Sequence, residues 1–103
     1  MDRRTALVTG ASAGLGAEFA RQLANRGLDL LLVARRSERL SELADRLARD
    51  TGVRAHVFAA DLSAPEAPAE IFDYVRERGL HVDFLVNNAG SAGIEFLEDR
   101  VWK

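Results

Sequence analysis

Apolar and polar positions along the chain switch repeatedly between two periods. Thr5-Ala6-Leu7-Val8-Thr9 is a short apolar run that halts at a glycine, as a parallel strand buried on both faces does. Leu15, Phe19 and Leu23, with Ala20 and Ala24 alongside, then form a stripe at four-residue spacing that predicts a helix ending at Gly27. Leu28 to Ala34 is a second strand-like run, interrupted only by Asp29. Ser37 is the expected N-cap of a helix that buries Leu40, Leu43, Ala44 and Leu47 and closes at Gly52. Val53 to Ala60 supplies a third strand. Ser63-Ala64-Pro65-Glu66 reads as a capping box with proline in the first turn, ahead of a helix burying Ile71, Phe72 and Val75. Val82 to Val86 is the fourth strand, and the residues after Gly90 read as a loop and the start of a fourth helix.

Strands alternating with helices in this way predict βαβ units and a parallel sheet. Right-handed crossovers put the helices on both of its faces. The expected fold class is therefore α/β, a Rossmann-type doubly wound sheet of order 3-2-1-4. The first and third helices should lie on opposite sides of the switch point. With 103 residues, one domain is expected.

Composition removes several function classes. A net charge of -2 offers no field for nucleic acid or an anionic membrane, and the 14 basic residues, Lys103 being the lysine among them, are scattered. There is no cysteine, hence neither a disulfide nor a thiolate metal site, and two histidines, His56 and His81, are too few for a metal centre. No apolar stretch is long enough for a signal peptide or a membrane span, so a cytoplasmic protein is the default expectation.

The chemistry begins at Thr9-Gly10-Ala11-Ser12-Ala13-Gly14-Leu15-Gly16, between the first strand and the first helix. A helix N-terminus presents free N–H groups and the positive end of the helix dipole, which together stabilise a pyrophosphate. Gly10 permits the sharp turn, Gly14 lets backbone approach a ligand closely, and Gly16 lets the helix pack against the strand. Ser12 adds a hydroxyl within reach of a phosphate. A phosphate-binding P-loop would need a lysine after its last glycine, which is missing here.

The spacing T-G-x-x-x-G-x-G resembles the cofactor signature of the short-chain dehydrogenase/reductase family. An NAD enzyme would carry an acid at the end of the second strand to meet the ribose hydroxyls. This chain has Arg35 and Arg36 there. Two guanidinium groups suit a 2′-phosphate, each charge-assisted bond contributing roughly 1.5–3 kcal/mol, so NADP(H) rather than NAD is the expected cofactor. By the same resemblance Asp61 and Leu62 hold the adenine. Asp61 has a second reading, as a cap for the helix that starts near Ser63. Asn87-Asn88-Ala89-Gly90 matches the family's N-N-A-G motif, which implies that Asn87 bridges strands and that Asn88, Ala89 and Gly90 lie near the nicotinamide ribose.

The resemblance also implies a serine and a Tyr-x-x-x-Lys pair for the chemical step. Tyr74 is the chain's one tyrosine and Arg78 stands where that lysine would be, so Tyr74 reads as a packing residue and no catalytic residue is assigned. The expected function is NADP(H)-dependent hydride transfer to or from a small carbonyl or alcohol substrate. This chain would supply the cofactor half of a longer, homo-oligomeric enzyme. The competing expectation is a non-catalytic nucleotide-binding or interaction module. An apolar fourth strand left with an open outer edge argues against it.

Overall fold

The structure, a computed structural model, describes residues 4–10 and 14–86 and the backbone of 87 and 95–98. In chain order the elements are β1 (Thr5–Thr9), α1 (Gly14–Asn25), β2 (Asp29–Ala34), α2 (Ser37–Thr51), β3 (Ala55–Ala59), α3 (Ala67–Glu77), β4 (Val82–Asn87) and β5 (Glu95–Glu98). They form one sheet of order β3-β2-β1-β4-β5. The expected 3-2-1-4 arrangement is present and every pairing within it is parallel.

The apolar runs are buried on both faces, as their continuity requires. Leu7, Val8, Leu30, Leu31, Leu32 and Val33 are each fully buried or nearly so. Alternation along the strands divides these side chains between two cores. Ala6, Val8, Leu30, Leu32 and Val86 pack under α1 and α2, while Leu7, Leu31, Val33, Val82 and Leu85 pack under α3. Helices one and three thus lie on opposite faces. In β4 the register against β1 slips by one residue at Asp83, between Thr5↔Val82 and Ala6↔Phe84. That bulge places Val82 and Leu85 in the same core although they are three residues apart.

Several local expectations need correction. In α1 the buried line is Gly16, Ala20 and Ala24, whereas Leu15 is 55% exposed and Phe19 and Leu23 are half-buried. Small residues let this helix lie close to the sheet, and the larger ones flank the contact. Phe72 in α3 is likewise exposed. It follows the buried Ile71 by one residue, about a 100° rotation around the helix, and the Arg76 guanidinium sits 5.8 Å from its ring centre. Helix α2 starts at Ser37 itself. Arg36 is the extended N-cap residue, and no side-chain cap bond forms. Its other end is as expected, with Gly52 left-handed at φ 81° and its N–H donating to the Ala48 carbonyl.

The capping box is not formed. Helix α3 begins at Ala67, with Glu66 as its N-cap residue, no side-chain cap bond, and proline in its first turn. Turns closed by Ala64 N–H to Asp61 O (3.0 Å) and Ala67 N–H to Ala64 O (3.1 Å) precede it. The Ser63 hydroxyl is engaged by Asp61 instead. Beyond Gly90 the helix expectation fails for the described stretch. Glu95–Glu98 pairs antiparallel with β4, from Asn87↔Glu95 to Phe84↔Glu98. Backbone pairing satisfies the polar edge of an otherwise apolar strand, which outweighs helix formation in so short a segment. The outer edge of β4, expected to lie open, is therefore covered.

Candidate functional site

Register brings the carboxyl ends of four strands side by side. Thr9 pairs with Val33 on one flank and Asn87 on the other, and Val33 and Ala34 pair with Phe58 and Ala59. Gly10 N–H continues the ladder to Val33 O at 2.8 Å, and Ala60 N–H does so to Ala34 O at 3.0 Å. The Thr9 hydroxyl, nearly buried, donates to Val86 O at 3.4 Å and ties β1 to β4 at this end. The residues that follow, Gly10, Arg35, Arg36, Asp61 and Leu62, consequently emerge along one edge of the sheet. In a doubly wound sheet the crevice at that edge is where ligands bind.

Gly10 and Gly14 bound the turn after β1, and both have positive φ, 64° and 62°. Few L side chains tolerate that region, which is the physical reason for glycine at each position. Gly14 opens α1, and among the described residues no atom beyond its chain neighbours and its own helix backbone lies within 4 Å of where its Cβ would be. Leu15 is exposed next to it and Gly16 is buried in the helix–sheet contact. Helix N–H groups, an unobstructed backbone and open space therefore coincide, which fits an anionic ligand. Ser12 and Ala13 lie outside the described residues, as do Asn88, Ala89 and Gly90.

Arg35 and Arg36 are exposed at the junction of β2 and α2. Asp61, beyond the end of β3, is also exposed, and one of its oxygens is held firmly. Oδ1 accepts from the Ser63 hydroxyl at 2.7 Å and from the Ser63 N–H at 3.0 Å. These two bonds, the hydroxyl first, hold the Asp61 carboxyl below its ordinary range, and the charge of Arg35 adds to the effect. Asp61 thus caps its own turn rather than α3. Leu62 packs on the α3 core.

Sequence reasoning assigned Ser63 to the wrong task. The spacing Asp-x-Ser was the available signal, because an aspartate readily accepts hydrogen bonds two residues on. One other expectation, Tyr74 as a packing residue, agrees with the geometry. Tyr74 packs its ring 5.0 Å from that of Phe58, with the Arg78 guanidinium 3.8 Å above it. His56 lies within β3, and His81 precedes β4 at the opposite edge of the sheet, where its carbonyl accepts from Thr5 N–H. Among the described residues no helix is long and apolar enough to cross a membrane.

Known proteins resemble the chain throughout. A family profile described as short chain dehydrogenase matches residues 4–103. Among curated proteins, 11-beta-hydroxysteroid dehydrogenase A of Sesamum indicum is 40% identical over 97 residues, 93% of this chain and 28% of the relative. Sulfoacetaldehyde reductase 2 of Chromohalobacter salexigens is 42% identical over 86 residues, 84% of this chain and 33% of the relative. Among solved structures, a short-chain dehydrogenase from Sphingobium yanoikuyae in complex with NADPH superposes with a TM-score of 0.77 at 45% identity, covering 86% of this chain and 35% of that one. L-sorbose reductase from Gluconobacter frateurii, complexed with NADPH and L-sorbose, gives 0.82 at 37% identity, with 89% and 35% covered. The chain spans about a third of the length of such relatives. With its strand order, its glycine turn and its match over residues 4–103, the chain belongs to the short-chain dehydrogenase family.

Proposed function

We propose that this chain supplies the nucleotide half of an NADP(H)-dependent oxidoreductase that moves hydride between nicotinamide and a carbonyl or alcohol substrate. The observation that carries the proposal is the alignment, at one sheet edge, of an open glycine-led helix N-terminus with Arg35 and Asp61. In this reading Gly10, Ser12, Ala13, Gly14, Leu15 and Gly16 receive the pyrophosphate at the start of α1. Arg35 and Arg36 clasp the 2′-phosphate, Asp61 and Leu62 hold the adenine, and Asn88, Ala89 and Gly90 border the nicotinamide ribose. The bound cofactor supplies the hydride. The chain's own residues bind and orient it, and the substrate's proton donor is not among them. Two relatives of known structure are described with NADPH, which supports the 2′-phosphorylated cofactor over NAD. The other partner in this reading is a small molecule, and the whole enzyme is a homo-oligomer.

Cofactor choice provides the test. Replacing Arg35 and Arg36 together with alanine removes two charge-assisted contacts, about 3 kcal/mol, and should weaken NADPH binding about a hundredfold while leaving NADH nearly unchanged. Equal losses for both nucleotides would refute the selector role. A second reading, a binding module without catalysis, gains support from β5, which closes the edge of β4. The module reading requires a stable, monomeric species of this chain's mass in solution, and an intact-mass and sedimentation measurement decides it.

A further inference from the structure

We propose that the outer edge of β3 is a self-association surface, on which a second copy of this chain pairs antiparallel about a two-fold axis at Val57. The inference goes beyond the nucleotide reading and does not rest on it. The strand order leaves β3 bonded on one side, to β2. The Arg54 carbonyl accepts from Leu30 N–H at 2.9 Å, Arg54 N–H donates to Asp29 Oδ1 at 2.9 Å, and Ala60 N–H donates to Ala34 O at 3.0 Å. Alternation along the strand then turns the N–H and C=O groups of Ala55, Val57 and Ala59 outward. Among the described residues these groups have no partner. Val53 N–H, next in that row, reaches the Thr51 hydroxyl at 3.4 Å, so the open run begins at Ala55. Nothing in β3 guards it. Ala55-His56-Val57-Phe58-Ala59 holds no lysine, arginine, carboxylate or proline, and its register with β2 is unbroken by a bulge. The opposite edge of the sheet, β5, has a glutamate at each end.

The run is complementary to itself. Antiparallel pairing centred on Val57 sets Val57 against Val57 of the second copy and Ala55 against its Ala59. All three outward residues then form hydrogen-bonded pairs, and every open group of both strands is satisfied. On the other face of the sheet His56 meets Phe58 of the second copy, a cross-strand aromatic pair. Charge favours the same orientation. Exposed Arg54 precedes the run and exposed Asp61 follows it. Antiparallel strands bring each guanidinium to the other's carboxylate, whereas parallel strands would bring like charges together.

Sedimentation of the unsubstituted full chain across the micromolar range should show a monomer–dimer equilibrium. A59K places a charged guard at an exposed edge position and enters the dimer twice, so it should weaken association roughly tenfold or more. A69K, the same change at an exposed position of α3, should leave association unchanged. Because the chain has no cysteine, one placed at the axis reports the register directly. In V57C the two Cα atoms would stand about 5.5 Å apart, within disulfide range, so mild oxidation should give a cross-linked dimer. A55C should give none, since Ala55 faces Ala59 rather than its own copy. A monomeric unsubstituted chain overturns the inference and leaves the edge to a strand of another protein. A dimer that A59K leaves intact also overturns it, as does A55C cross-linking as readily as V57C.

Discussion

Gly14 separates the demands of the fold from those of the ligand, because a methyl group there has room in the protein itself. An alanine at this position must adopt φ near 62°. Left-handed backbone costs an L residue about 1–2 kcal/mol. With no described atom beyond the local chain and helix backbone within 4 Å of the new Cβ, no steric clash with the rest of the fold is added. Gly27 and Gly52 form matched controls. Their φ values are 86° and 81°, their Cβ positions are equally open, and they lie at the C-terminal ends of α1 and α2, away from the strand ends that carry the candidate site. G14A, G27A and G52A should therefore each lose about 1–2 kcal/mol in urea denaturation. Only G14A should lose nucleotide. A methyl group between the helix N-terminus and a pyrophosphate removes at least one charge-assisted contact, about 1.5–3 kcal/mol. NADPH affinity should then fall roughly 10- to 100-fold. Fluorescence titration of all three variants, at a urea-free pH where each is folded, reads the difference directly. Equal NADPH affinity in G14A and G27A would refute the idea that the first turn of α1 faces the phosphates.

Burial, above all, pushes the His56 imidazole below its ordinary value; Asp29 opposes this, while Arg78 and Arg54 add to it. The unfolded chain then takes up the proton more readily, so stability is complete above about pH 6.5 and declines as pH falls through that value. H56Q should flatten the fall in urea midpoint between pH 7.5 and 5.5, and an unchanged slope would show that another group is responsible. The chain alone should bind NADPH without catalysing hydride transfer, because among the described residues no group is placed to give a proton to a developing alkoxide. Steady NADPH oxidation with a panel of aldehydes and ketones, by material of verified 103-residue mass, would contradict this.

The sheet was readable because parallel strands buried on both faces leave an unbroken apolar signature. Leu30 to Val33 can hardly be anything else. Helix faces were less so. Sequence reasoning gave the buried line of α1 to its largest side chains, but close packing against a sheet favours Gly16, Ala20 and Ala24 and moves Leu15 out to solvent. The helix start near Ser63 was misjudged because that serine is already engaged. A serine before a helix can serve several acceptors, and Asp61 lies two residues from Ser63, nearer than any helical N–H. The bulge at Asp83 leaves no mark on composition or period, since it exists only in the pairing with Thr5 and Ala6. Of the candidate site, the glycine turn was legible from its spacing between strand and helix, while the parts given to Arg35 and Asp61 followed from the family resemblance. The bond between Ser63 and Asp61 needed three dimensions.

The strand order has a consequence for how the chain acquires its structure. β1 is central, yet its two neighbours reach it at very different times. Thr5 meets Asp29 after one crossover, but it meets Val82 only after two further helices and a strand have been made. A chain emerging from the ribosome can therefore assemble β1, β2 and β3 with α1 and α2 while the other side of β1 stays bare. The bare side presents unpaired backbone N–H and C=O groups, with no charged residue among Thr5 to Thr9 to discourage mispairing. Arrival of β4 is a late, non-local closure, the kind of step that slows folding and exposes intermediates to aggregation. Slower translation ahead of Val82 would lengthen that exposure, and a chaperone acting on this protein would find its substrate at the open flank of the first strand.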